Sequence, residues 1–220
     1  MCFSATASFV AGSLLVGTGL TTLSMSKSRR ELPLASVPLL FGVQQISEGF
    51  VWKGNVGAAS SPLDAAGYVF LIFALLVWPT YMPLVALAIE PMRLRRWLIG
   101  GMAIVGVGTS TYLGFGLTTH TVFMHTQGQR IVYDVHGFNA SAAQLWYLAA
   151  ATVSCLLSSR RVLQVFGVLS IVLGEIANAI NTRAFVSVWC FFAAILSVVL
   201  VTHFARGVRP AWRMGTLGRG

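Results

Sequence analysis

Charged side chains are scarce in this sequence. Only 10% of the 220 residues are Asp, Glu, Lys or Arg, whereas 56% are hydrophobic, and the mean hydropathy is +0.77. Soluble domains carry about 25% charged residues, so this chain has too little charge to cover a water-facing surface. Because lipid can cover such a surface, the composition excludes an ordinary soluble domain and indicates an integral membrane protein.

Cysteine is also rare, and the common catalytic and cofactor motifs are missing. Three cysteines (Cys2, Cys155 and Cys190) cannot build a disulfide framework, and no CxxC pair suggests zinc. The chain has no GxSxG, HExxH, P-loop or CxxCH motif. The sequence therefore indicates no particular cofactor, and whether the protein is an enzyme stays open.

Long hydrophobic runs dominate what is present. Several reach the roughly 20 residues that a helix needs to cross a bilayer, and backbone groups in lipid must be satisfied within the segment. We therefore predict an all-α polytopic bundle of about seven transmembrane helices, forming one domain over residues 1–205, with a basic tail over 206–220. The runs cover about residues 6–26, 33–53, 66–89, 97–117, 142–158, 162–181 and 185–205.

Lysine and arginine alternate between the loops, which predicts the orientation. Twelve lie in the first, third and fifth loops and the C-terminal tail, whereas only Lys53, Arg130 and Arg183 lie in the others. Because cytoplasmic loops are enriched in Lys and Arg, we expect the N-terminus outside and the C-terminus in the cytoplasm. This distribution also explains the net charge of +9, so no nucleic-acid partner is expected.

The longest loop, about residues 118–140, is expected to be external and long enough to fold over the outer mouth of the bundle. It contains His120, His125, Asp134 and His136. His120 and His136 are the candidate metal ligands, although loop histidines are more often simply solvated.

Two carboxylates lie within the predicted spans, and such residues are functional candidates by default. Glu48 shares a helix face with Gln44, and Glu175 shares one with Asn178. Both carboxylates are expected about 8 Å below the outer ends of their helices, from the helical rise. Tyr112, Cys190 and several serines fall at a similar depth, so we predict a polar pocket that opens outward.

Four interpretations of these carboxylates remain open. No Lys or Arg lies in the spans at that depth, so the carboxyls are expected to be protonated, to bind a cation, or to meet a loop histidine. Alternatively, each is a neutral carboxyl that hydrogen-bonds a neighbouring amide and holds helices together.

Cys2 and Cys190 also allow three interpretations. Cys2 becomes N-terminal if Met1 is removed, and a terminal cysteine can act as a nucleophile. The two thiols could instead form a disulfide on the oxidising side of the membrane, or pack as small apolar groups.

The opening MCFSATASF, with FGVQQISEGFVW, VWP and SVWCFFAA further along, resembles a family of bacterial integral membrane proteins of unknown function. The resemblance covers essentially the whole chain and implies a multi-pass protein of the bacterial inner membrane. It supplies no reaction, substrate or cofactor. It does draw attention to the following residues: Cys2, Gln44, Gln45, Glu48, Trp78, Pro79, Trp189 and Cys190.

The sequence thus leads to three hypotheses. The first is a protein that binds or transports a small solute or cation in an outward-facing pocket lined by Gln44, Glu48, Glu175 and Asn178. The second is an enzyme of the outer leaflet that uses Cys2 or the loop histidines. The third is a structural subunit of a membrane complex. The lipid bilayer is the expected environment, and the oligomeric state is left open.

Overall fold

The computed structural model describes residues 4–55, 61–126, 131–180 and 196–206, and most of them are helical. The first six predicted apolar runs each coincide with a helix or a pair of helices, and residues 196–205 of the seventh are helical, while the rest of that run lies outside the described residues. Within these residues, three helices are long and apolar enough to cross a membrane: α1, α4 and α5. The helices are α1 (Ala5–Met25), α2 (Leu32–Ala35), α3 (Val37–Asn55), α4 (Ala65–Ile89), α5 (Arg93–Thr119), α6 (Gln144–Leu157), α7 (Arg161–Ile180) and α8 (Leu196–Arg206).

Helices α1 and α3 pack against each other with their backbones unusually close. A Cβ atom at Gly12 would lie 2.7 Å from Ile46 Cγ1, and one at Gly42 would lie 2.8 Å from Val16 Cγ2. Small residues allow this approach, which maximises van der Waals contact where the hydrophobic effect gives little help. Near the end of α1, the Thr22 hydroxyl donates to the Ala35 carbonyl of α2, the short helix that precedes α3, at 2.6 Å.

Helix α4 loses its regular hydrogen bonding around Pro79. Residues Ile72–Val77 form a π-helical stretch in which the Trp78 N–H donates to the Phe73 carbonyl, and Pro79 has no N–H to donate. Neighbouring helices supply the missing donors. Tyr147 of α6 donates its hydroxyl to the Ala74 carbonyl at 2.7 Å, and Ser110 of α5 donates to the Leu76 carbonyl at 2.8 Å.

The Pro79 carbonyl also lacks an intrahelical hydrogen bond, because Pro83, four residues later, has no N–H to donate to it. It lies directly against Gly106 of α5, where even a methyl group would collide with it. The sequence around Pro79 therefore also determines how closely α5 can approach α4.

The prediction of an all-α chain missed a small antiparallel sheet, whose two longer strands lie in the loop predicted over residues 118–140. Its strands are β1 (Ser61–Pro62), β2 (Val122–Thr126) and β3 (Ile131–Val135), in the order β1-β2-β3. Phe123 pairs with Asp134, and Met124 with Tyr133. The two longer strands are rich in β-branched and aromatic residues, which favour strands. The prediction considered these residues only as a loop.

The basic connections gather at one end of the bundle. Arg160 donates to the Ile89 carbonyl at 3.1 Å, and Arg95 donates to the Leu157 carbonyl at 3.0 Å. His203 of α8 is close enough to interact electrostatically with Glu31 and Arg160. Arginines at the ends of helices can satisfy carbonyls that lack intrahelical partners. The sheet lies at the opposite end, beside the ends of α3 and α4.

The contact at Gly106 generates a testable expectation. Gly106→Ala places a methyl group against the Pro79 carbonyl and should destabilise the protein by about 1–3 kcal/mol, the usual cost of overpacking. Gly108→Ala is the matched control, because nothing lies within 4 Å of a Cβ at that position. The measurement is thermal unfolding in mild detergent, and equal stability of the two variants would contradict the packing described here.

Candidate functional site

Three polar side chains lie on the buried face of α3. Gln44 and Glu48 have 0% of their surface exposed, and Gln45 has 1%. The spacing of four residues between Gln44 and Glu48 places them on one side of the helix, as the sequence predicted. We call Gln44, Gln45 and Glu48 the α3 polar cluster.

Gln44 is held by Trp78 of α4. The Trp78 indole N–H donates to Gln44 Oε1 at 2.7 Å, and the Trp78 ring stacks on Phe41 with 3.8 Å between ring centroids. This contact joins two of the sequence motifs, FGVQQISEGFVW and VWP. The turn of α4 at Trp78 therefore positions the Gln44 end of the α3 polar cluster.

Glu48 is the centre of the cluster. Gln45 Nε2 donates to Glu48 Oε2 at 3.2 Å. A buried ionised carboxylate is costly unless hydrogen bonds or an opposite charge compensate it.

The β2–β3 hairpin covers the end of α3 that lies beyond Glu48. Val51 and Trp52 pack with Met124 and Ile131 of the hairpin. The Tyr133 ring stacks on Phe70 of α4, with 5.3 Å between centroids. The hairpin thus lies over this end of the bundle, and the α3 polar cluster is enclosed beneath it.

Glu175 lies in different surroundings. Its side chain is exposed and borders a groove between α6 and α7, together with Gln144, Leu148 and Ile171. Glu48 is completely buried, so the structure does not bring the two carboxylates into one pocket. The shared depth used in the sequence argument fixes the height of a residue along the bundle but leaves open which side of its helix it occupies.

The other predicted site residues are dispersed or lie outside the described part of the chain. Tyr112 is 41% exposed, and its hydroxyl donates to the Asn139 carbonyl at 3.1 Å. Asn178 belongs to α7, but its side chain lies outside the description. Cys2 and Cys190 also lie outside the described residues, so the three interpretations of these thiols, including a disulfide, stay open. Cys155 is a buried free thiol.

The loop histidines occupy separate positions in and beside the hairpin. His120 Nδ1 lies 2.8 Å from the Thr119 hydroxyl, and His136 packs edge-on against Phe123. His125 Nδ1 lies 3.4 Å from Asp134 Oδ2. Over residues 4–55, 61–126, 131–180 and 196–206, no three His, Cys, Asp or Glu residues form a group that could hold a metal ion.

The sequence analysis did not identify Glu90, which lies in the turn between α4 and α5. Only 2% of its surface is exposed, and it accepts hydrogen bonds from the Ser159 N–H at 2.6 Å, the Ser159 hydroxyl at 2.8 Å and the Ser158 hydroxyl at 2.9 Å. Burial would raise the pKa of Glu90, but these bonds and one from the Met92 N–H outweigh it and lower the pKa. An acidic residue inside an otherwise basic loop was the available signal.

Glu90 therefore ties the α4–α5 turn to the α6–α7 turn at the basic end. Arg96 donates to the backbone carbonyl of Glu90 at 3.2 Å, while the carboxylate itself is satisfied by Ser158 and Ser159. This arrangement joins helices and leaves no carboxylate oxygen without a hydrogen bond. We assign Glu90 to the architecture of the bundle rather than to a binding site.

Comparison with known proteins bears on the whole chain. The model of a family described as a family of unknown function, DUF6629, matches residues 1–215. The chain belongs to the DUF6629 family. This confirms the resemblance to an uncharacterised family that the sequence motifs indicated. No curated protein and no solved structure matches the chain.

Proposed function

We propose that this DUF6629 protein crosses the bacterial inner membrane seven times, with its N-terminus outside and its C-terminus in the cytoplasm. Three helices of sufficient length and apolarity support a membrane location. The gathering of the basic connections at one end of the bundle supports the orientation, because Lys and Arg are enriched on the cytoplasmic side. In this orientation the β2–β3 hairpin lies outside.

Cysteine labelling tests this topology. In a chain whose native cysteines are replaced by alanine, Lys53→Cys should react with a membrane-impermeant maleimide in intact cells. Arg93→Cys should react only after permeabilisation. Both positions are exposed, so accessibility within the fold does not limit the reaction. The reverse pattern, or labelling of both positions in intact cells, would contradict the orientation.

We further propose that the α3 polar cluster binds a small cation, or a small solute that carries one, as a step in binding or transport. The observation that carries this proposal is the complete burial of the Glu48 carboxyl group. A bound cation, or a proton that it displaces, would balance the charge of Glu48.

Exchange between a proton and a cation suits a carboxyl group in this position. Glu48 is neutral when protonated, so it can remain buried at low cost, and it becomes an anionic ligand when a cation replaces the proton. Gln44 and Gln45 supply carbonyl oxygens and amide N–H groups beside it. The hairpin over Trp52 would then be the element that must open for a ligand to enter from outside.

The other hypotheses receive less support. An enzyme of the outer leaflet would need Cys2, which lies outside the described residues, or cooperating histidines, which occupy separate positions. A purely structural role for the cluster is favoured by two contacts, the hydrogen bond from Trp78 to Gln44 and the hydrogen bond from Gln45 to Glu48. That role does not account for a carboxylic acid at position 48, because a glutamine would serve equally well as a helix contact.

Thermal unfolding in detergent tests the site. We would compare the Tm of the protein in sodium, potassium and ethylammonium chloride with its Tm in tetraethylammonium chloride. The tetraethylammonium cation is too large for an enclosed site. A ligand at 100 times its Kd adds about 2.7 kcal/mol of stability, so at least one small cation should raise the Tm by several degrees.

Two isosteric variants make this test specific. Glu48→Gln should abolish the Tm increase, whereas Glu175→Gln, which alters an exposed carboxylate, should retain it. If Glu48→Gln responds to every salt as the wild type does, Glu48 is not a cation ligand. The structural hypothesis would then be the better account of the cluster.

A further inference from the structure

Five arginines lie in and beside two turns at the basic end of the bundle. Three belong to the first turn of α5, and two lie where the α6–α7 turn meets α7. Hydrogen bonds hold the two turns together, because an arginine of each turn donates to the last carbonyl of the helix before the other turn. We call these residues the arginine patch: Arg93, Arg95, Arg96, Arg160 and Arg161.

Backbone carbonyls hold three of these guanidinium groups in place. Arg96 Nη1 donates to the Leu87 carbonyl at 3.0 Å and to the Glu90 carbonyl at 3.2 Å. Arg95 and Arg160 each donate to one carbonyl, at 3.0 Å and 3.1 Å. A guanidinium group has five N–H donors, so each of the three keeps donors for a further partner. Side chains that are already fixed lose less entropy when that partner binds.

No acidic side chain neutralises the arginine patch. All six acidic residues of the chain belong to the described part, and within it none of the five arginines forms a salt bridge. Glu90 is the acidic residue nearest in the sequence, but its carboxylate accepts hydrogen bonds from Ser158, Ser159 and the Met92 N–H. The patch therefore presents an excess of positive charge that an external anion can balance.

Apolar side chains lie in the same turns of α5 as three of the arginines. Leu94 is 72% exposed, Trp97 is 73% exposed and Leu98 is 49% exposed. Basic and aromatic side chains in this combination are typical of a helix end at the membrane interface. A soluble anion would use only the arginines, whereas a lipid with an anionic headgroup would contact both kinds of side chain.

We infer that the arginine patch binds the headgroup of an anionic phospholipid of the inner leaflet. Phosphate oxygens accept from the remaining N–H donors of Arg95, Arg96 and Arg160, in charge-assisted hydrogen bonds. The acyl chains lie along the apolar side chains at the start of α5. Basic sites between transmembrane helices on the cytoplasmic side commonly bind such lipids. This inference rests on the proposed membrane topology and is independent of the α3 polar cluster.

Thermal unfolding of the full-length protein in a mild nonionic detergent tests the inference. Phosphatidylglycerol and phosphatidylcholine with the same acyl chains are added separately. Phosphatidylglycerol should raise the Tm by several degrees more than phosphatidylcholine, because it binds the folded patch. Sodium phosphate, compared with sodium chloride at equal ionic strength, should leave the Tm unchanged, because inorganic phosphate makes no acyl-chain contacts.

Three variants assign the effect to the patch, each measured against its own Tm in phosphatidylcholine. Arg160→Gln removes a fixed guanidinium group and should reduce the phosphatidylglycerol effect by at least half. Arg161→Gln should reduce it as well, and its fold should be retained, because this exposed side chain makes no hydrogen bond within the described residues. Arg29→Gln is the matched control, since it removes the same charge from an exposed arginine of the first loop and should retain the effect.

Four outcomes would overturn the inference. The first is an equal Tm in the two lipids, and the second is a phosphatidylglycerol effect that both Arg160→Gln and Arg161→Gln retain. The third is an equal loss in Arg29→Gln, because general charge attraction would then explain binding. The fourth is an equal effect of sodium phosphate, which would assign the patch to a soluble anion. Detergent solution has no inner or outer side, so none of these results decides the topology or the cation site.

Discussion

The turn of α4 at Trp78 and Pro79 is the point on which the packing of the bundle depends. Two prolines and a π-helical stretch leave carbonyls there without their own N–H partners, and an apolar interior offers no water to replace them. Tyr147 of α6 and Ser110 of α5 donate to these carbonyls, while Gly106 lets α5 approach the carbonyl of Pro79. The Trp78 side chain reaches α3 through Gln44. One irregular turn thus positions three other helices.

The α3 polar cluster follows from that arrangement. Once Trp78 fixes Gln44, the rest of the α3 face is directed into the bundle, and Glu48 lies along α3 between the level of Trp78 and the hairpin. The tight contact between α1 and α3 closes the other side, because Gly12 and Gly42 leave no space between the helices. The same constraint that satisfies backbone carbonyls at Pro79 therefore buries a carboxyl group one helical turn beyond Gln44. At the opposite end, Glu90 is buried as well, but four donors surround it.

The sequence predicted those features that depend on local pattern. Apolar runs gave the positions of the helices, and the spacing of Gln44 and Glu48 gave their common face. Features that depend on the packing of distant segments could not be predicted from the sequence. Glu175 shares the predicted depth of Glu48 but faces a surface groove, since depth along a helix does not fix its rotation in the bundle. The role of Glu90 could not be predicted, because its partners Ser158 and Ser159 are 68 and 69 residues away in the chain. The hairpin was missed because its strands lie in a segment considered only for its length and histidines.

Native mass spectrometry of the purified protein tests most directly whether Glu48 holds a ligand. The account predicts that wild-type protein released from mild detergent carries a small adduct, that Glu175→Gln retains it, and that Glu48→Gln lacks it. The mass of the adduct would also identify its chemical class. A bare chain in all three proteins, or an adduct that survives Glu48→Gln, would contradict the account and leave the α3 polar cluster as a contact between helices.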